Sequence, residues 1–100
     1  MATYIMLMKF LDPGVETIRD ASAGRAAGKK AAKAMGITWK QQYLMMGEYD
    51  ILTVLEAPSD EVIAKFALMG MTGSLAISTS RAFTEAEADK LIKSLAPPSG

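Results

Sequence analysis

Large apolar residues fall in four short blocks, and the stretches between them carry apolar residues at helical rather than alternating spacing. The first block, Thr3 to Leu11 (TYIMLMKFL), is too short for a typical helix and nearly continuous in apolar character, which predicts a strand covered on both faces. Asp12, Pro13 and Gly14 end it. With Asp12 as N-cap and Pro13 at the first helical position, a helix is expected from about Pro13 to Met35, closed by Gly36. Within it, Asp20-Ala-Ser-Ala-Gly24 has weak helix propensity and offers Ser22 as a second cap, so a break is expected there.

Ile37 to Met46 alternates large and polar residues and predicts a strand with Trp39, Gln41, Tyr43 and Met45 on one face. Gly47-Glu48-Tyr49-Asp50 is the turn into a second β-prone run, Asp50 to Ala57, making a hairpin with a loop of about two to four residues. Pro58 stops the run. Ser59 caps a second helix, whose first turn carries Asp60 and Glu61 and whose buried stripe is Val62, Ile63, Phe66, Ala67 and Gly70. Gly70 and Gly73 end that helix. Leu75 to Phe83 is a fourth strand, with Leu75, Ile77, Thr79, Arg81 and Phe83 on one face. Thr84 and Glu87 form a capping box for a terminal helix reaching about Leu95, and Pro97 to Gly100 reads as a frayed tail.

This order, β-α-β-β-α-β plus a terminal helix, is the α+β split-βαβ or ferredoxin-like arrangement, as one domain over residues 1–96. Right-handed crossovers place the first and third strands at the centre of a four-stranded antiparallel sheet with both helices on one face. Those two strands are apolar at nearly every position (Tyr4, Ile5, Met6, Leu7, Met8; Ile51, Leu52, Val54, Leu55), so the uncovered face is expected to be apolar too. Such a patch drives sheet-to-sheet dimerisation, with Tyr4, Met6 or Met8 and Leu52 or Val54 expected in the interface.

Composition narrows the chemistry. Eleven basic residues balance eleven acidic ones, leaving no global field to attract nucleic acid or an anionic membrane. Cysteine and histidine are both absent, which removes disulfides, thiolate nucleophiles, cysteine metal sites, and the usual general base and metal ligand. Neither a metal nor a cofactor is expected. No apolar run approaches the roughly 20 residues needed to span a membrane, and a cytoplasmic location is expected.

Ala2-Thr-Tyr-Ile-Met-Leu7, the turn Gly47-Glu-Tyr-Asp50, Glu56-Ala-Pro58 and Arg81-Ala-Phe-Thr-Glu85 together resemble the GYD-domain family over nearly the whole chain. The resemblance implies a relation to the dimeric α/β barrels, whose sheets pack face to face. Met8 stands where such relatives are expected to carry a small residue. The hairpin is also similar to that in the effector-binding domain of the leucine-responsive regulator family. With the first strand opening this chain, that second resemblance implies ligand binding or assembly rather than DNA binding.

The candidate site residues are scattered. Gly47, Glu48, Tyr49 and Asp50 are read as a structural turn, with Tyr49 anchoring the hairpin tip. Lys9 is expected to pair with Asp50 or Glu48. Arg81, among apolar neighbours, must be paired, exposed or used on an anion; Glu56 is its expected intrachain partner, and a carboxylate its expected ligand. Trp39, Gln41 and Tyr43 either line a ligand cleft or rim the dimer interface. Arg25, Lys29 and Lys33 form an i, i+4, i+8 stripe read as a solvated face, and Gly24 and Gly28 mark close packing or a weak helix. The eight methionines read as adaptable core. No nucleophile-base pair, metal-ligand cluster or phosphate loop stands out. The reading is a small-molecule-binding or assembly module working as a homodimer, its ligand a small apolar or acidic molecule. The alternative is a cofactor-independent enzyme of the monooxygenase or isomerase type, with Trp39, Tyr4, Tyr43 and Ser78 as its only candidate pocket groups.

Overall fold

The structure is a computed structural model and describes residues 1–11, 19–70, 75–95 and 97. Its elements are β1 (Ala2–Phe10), α1 (Ala21–Ala34), β2 (Thr38–Leu44), β3 (Ile51–Ala57), α2 (Asp60–Gly70), β4 (Leu75–Ala82) and α3 (Glu85–Lys93). The four strands form one antiparallel sheet in the order β2-β3-β1-β4, so the two most apolar strands are central, as expected of a ferredoxin-like α+β domain. Among the described residues no helix is long and apolar enough to cross a membrane.

Register decides which side chains meet the helices. Tyr4 opposes Leu55, Met6 opposes Thr53 and Ala2 opposes Ala57. Tyr4, Met6, Leu55 and Ala57 form the core with Ala32 of α1, Ile37, and Ile63 of α2; Ala2 packs against it, and Thr53 is buried beside it. Side chains alternate across a strand, so Ile5, Leu7, Leu52 and Val54 lie on the other face, away from α1 and α2. This corrects the expected interface set: Tyr4, Met6 and Met8 face the helices and are unavailable to a sheet-to-sheet contact, whereas Leu52 and Val54 remain available.

The hairpin departs from its expected form in two ways. Six residues, 45–50, separate β2 from β3, closed by a 2.7 Å bond from the Met45 amide to the Asp50 carbonyl. A bulge between Trp39 and Gln41 then reverses the alternation of β2. Trp39, opposite Leu55, turns to the helices; Gln41 and Tyr43, opposite Val54 and Leu52, turn away. The three residues do not share a face.

Asp50 ties the hairpin to β1. Its backbone N–H donates to the Met8 carbonyl at 2.9 Å, and its carboxylate Oδ2 accepts the Phe10 N–H at 2.8 Å. Gly47 adopts φ +125°, a conformation that strains any side-chain-bearing residue, which explains glycine at the tip.

Helix ends follow local chemistry with one exception. Ser59 Oγ accepts the Val62 N–H at 3.2 Å, and Thr84 with Glu87 forms the expected reciprocal capping box. At the start of α1, however, Asp20 rather than Ser22 is the N-cap, and its side chain makes no capping bond; Ser22 lies within the helix. The expected start at Asp12 and Pro13, the stop at Gly73 and most of the tail lie outside the described residues. No residue of α3 is buried, and Leu91 and Ile92 are exposed. The methionines divide likewise: Met6 is core, but Met46 is fully exposed and Met69 largely so.

Replacing Asp50 by Ala leaves the Phe10 N–H without its charged acceptor and is expected to lower stability by about 1.5 to 3 kcal/mol. Glu48→Ala, two residues away and exposed, should cost less than about 0.5 kcal/mol. Urea denaturation of the two variants checks the difference.

Candidate functional site

The sheet's helix-facing side has a closed end and an open end. At the closed end the Tyr4 hydroxyl donates to Asp60 Oδ1, joining β1 to the start of α2. That hydrogen bond, with burial and the negative charge of Asp60, raises the Tyr4 pKa above its ordinary 10.0. Tyr4 is therefore a neutral, engaged group near neutral pH. Arg81, opposite Tyr4 on β4, stacks with its guanidinium carbon 4.5 Å from the Phe83 ring centroid and 5.7 Å from that of Tyr4. It donates to the carbonyls of Thr3 and Ala82.

The open end holds a cavity of about 610 Å³ between α1, α2 and the sheet. Its floor is Met6, Met8 and Phe10 of β1 with Ile51 and Thr53 of β3, and Trp39 and Gln42 of β2 form one wall. Phe66 and Met69 of α2 and Ile77 of β4 form the other. The room comes from α1, which turns Ala21, Gly24, Ala27, Gly28 and Ala31 toward the sheet. Two glycines there do different work. A Cβ at Gly28 would meet the Trp39 ring at 3.4 Å, an ordinary van der Waals contact, whereas a Cβ at Gly24 would meet nothing within 4 Å.

Polar groups in this cavity are few. Gln42 Nε2 donates to Thr53 Oγ1 at 3.0 Å, satisfying a hydroxyl whose residue is only 1% exposed. Asp20 and Arg25 stand at the α1 side. Arg25, Trp39 and Gln42 also border a shallower groove between α1 and the edge strand β2, together with Lys29, Lys33, Lys40 and the expected ligand residue Gln41. The Lys29 ammonium lies 5.9 Å from the Trp39 ring centroid.

Of the six residues expected to bind a ligand, only Trp39 is a wall of the cavity. Tyr4 and Arg81 are at the closed end. Gln41 and Tyr43 bond to each other, with the Tyr43 hydroxyl donating to Gln41 Oε1 at 2.6 Å, and Ser78, opposite Leu7, shares their face of the sheet. Arg81 is exposed and four residues, about 13 Å along the strand, from Ile77. The expected Arg81–Glu56 pair does not form, because Glu56 opposes Thr3 while Arg81 opposes Tyr4, which puts the two on opposite faces. Glu56 instead accepts Lys40 at 3.3 Å. Nor does Lys9 pair with Asp50 or Glu48 among the described residues; the Asp50 carboxylate holds a backbone N–H instead. What sequence reasoning missed is the cavity lining: Met6, Gln42, Thr53 and Phe66. The small stripe of α1 was its one visible signal.

These features define a ferredoxin-like α+β domain with a ligand-sized space between its helices and sheet. A family model, the GYD domain, matches residues 4–92, and the chain belongs to that family. Among solved structures, the crystal structure of FFRP-DM1 is similar in fold, with a TM-score of 0.55 and 17% identity; the match covers 83% of this chain and 100% of that one. No curated protein matches the chain.

Two outcomes are expected. Gly24→Ala, in a helix with free space beside it, should raise stability by about 0.5 to 1 kcal/mol in thermal or urea unfolding. The Tyr4–Asp60 bond contributes stability below the unfolded-state tyrosine pKa of 10.0 and loses it as pH rises through the higher folded value. The stability difference between wild type and Tyr4→Phe should therefore shrink as pH rises through that alkaline window. A difference that does not change with pH would show that Asp60 does not hold the hydroxyl.

Proposed function

We propose that this protein is a small-molecule-binding module that works as a sheet-to-sheet homodimer, its ligand held in the cavity between α1, α2 and the sheet. The cavity carries the reading. Its volume of about 610 Å³ falls within the roughly 300 to 1,000 Å³ typical of small-molecule sites, and its walls are apolar and aromatic with a small number of polar groups. Among the described lining residues Thr53 carries the one hydroxyl, and its hydrogen-bond partner is the neutral Gln42 amide rather than a carboxylate, which supports binding over catalysis.

The dimer rests on the other face. Ile5, Leu7, Leu52 and Val54 form a contiguous aliphatic patch over the two central strands, beyond the reach of α1 and α2. Two facing copies would bury what remains exposed of eight half-buried aliphatic side chains, an apolar gain that favours association. Ligand and partner thus occupy opposite faces of one sheet.

Light scattering at micromolar concentration should give a dimer for wild type, and a monomer or aggregate for Val54→Asp. A monodisperse wild-type monomer would remove the assembly half of the reading. For the ligand half, Trp39 is the only tryptophan and lines the cavity, so its fluorescence reports occupancy directly. Titration with uncharged N-phenyl-1-naphthylamine should quench it in wild type and leave it unchanged in Gly24→Leu, where the new side chain fills the space.

A further inference from the structure

We propose that the ligand is an amphipathic anion whose apolar body fills the cavity and whose single anionic group passes Trp39 to rest on Arg25 and Lys29 in the α1–β2 groove. The assignment rests on the cavity being a ligand site, as argued above. Two independent observations meet here: an apolar space and a cationic groove that share Arg25, Trp39 and Gln42 as a common border.

The charge is local rather than global. The chain as a whole is neutral, yet six of its eleven basic residues lie between Arg19 and Lys40, where Asp20 is the one acid. Arg25, Lys29 and Lys33 recur every four residues, which sets them on one stripe of α1, and all three border the groove. Lys40, across the groove, is already paired with Glu56. Among the described residues no carboxylate lies within ion-pair distance of Arg25, Lys29 or Lys33. Arg25 makes only a long 3.5 Å contact to Ser22 Oγ. The Arg25 guanidinium is exposed at the edge of the apolar space, and its planar, weakly hydrated fork matches a carboxylate or phosphate in geometry.

Asp20 sets the direction. It borders the cavity at the start of α1, nine residues or about 13 Å along the helix from Lys29, so an anion is disfavoured there and favoured toward Lys29. Arg81, the cation first expected to serve as anchor, is remote from the cavity and cannot take this part.

Two fluorescent probes of similar body test the assignment: 1-anilinonaphthalene-8-sulfonate, which is anionic, and N-phenyl-1-naphthylamine, which is not. Substituting Arg25→Gln with Lys29→Gln removes both cations of the proposed anchor and should weaken the sulfonate by about tenfold or more, and leave the uncharged probe within about twofold. The control pair Lys30→Gln with Lys90→Gln removes the same charge away from the groove and should change neither. Gly24→Leu should abolish both. If Gly24→Leu blocks both probes while the Arg25/Lys29 variant binds the sulfonate as wild type does, the cavity stands and the anionic assignment is overturned. Equal weakening by the control pair also overturns it, since only net charge would then be at work. If Gly24→Leu leaves both probes bound, the cavity reading fails and this one with it.

Discussion

The pairing of β1 with β3, with Tyr4 against Leu55 and Met6 against Thr53, is the constraint on which the other features of this domain depend. Both strands are central and both carry apolar residues on each face, so their own side chains do not decide which face the helices take. A slip of β1 by one residue along β3 would exchange Tyr4 and Met6 for Ile5 and Leu7 against the helices while Thr53 and Leu55 stayed there. Asp50 opposes such a slip. Its amide and carboxylate bond to Met8 and Phe10 in turn, fixing the hairpin against the end of β1. The aspartate of the Gly-x-Tyr-Asp turn therefore has a structural task, and no catalytic role is needed to explain it.

Once that register is set, the two faces of the sheet take on different characters. Toward the helices, large residues from three strands meet an α1 surface made of alanine and glycine, and the mismatch in size leaves a space at one end. At the other end Tyr4, Asp60 and Arg81 close the layer with polar and stacking contacts. Away from the helices, the middle of the central strands presents the aliphatic Ile5, Leu7, Leu52 and Val54, flanked on the same face by Thr3, Lys9 and Glu56. Cavity and patch thus share two strands, so a change of backbone in β1 or β3 bears on both.

Much of this was legible in the chain. Strand blocks, capping residues and turn chemistry are local, and they placed all four strands and the second and third helices to within a few residues. The order of elements, with right-handed crossovers, then left one sheet order, and the structure has it. Reading Trp39, Gln41 and Tyr43 as one face failed for a specific reason: a bulge is one extra residue in a ladder, and only the partner strand reveals it. The Arg81–Glu56 pair failed for a related one, since strand parity across a sheet follows from register rather than from either strand alone.

By itself, then, the sequence determined the elements, their order, the local charge of α1 and the surplus of apolar residues on the central strands, because each follows from short-range propensity or from composition. Tertiary structure alone decided which half of each strand meets the helices, that Trp39 turns inward while Gln41 and Tyr43 turn out, and that Gly24 borders empty space while Gly28 packs on a ring. Those outcomes depend on long-range pairing and on the fit of two surfaces distant in the chain. A pattern of residues shows that an α1 stripe is small; only the opposing sheet shows whether that smallness brings contact or leaves a cavity.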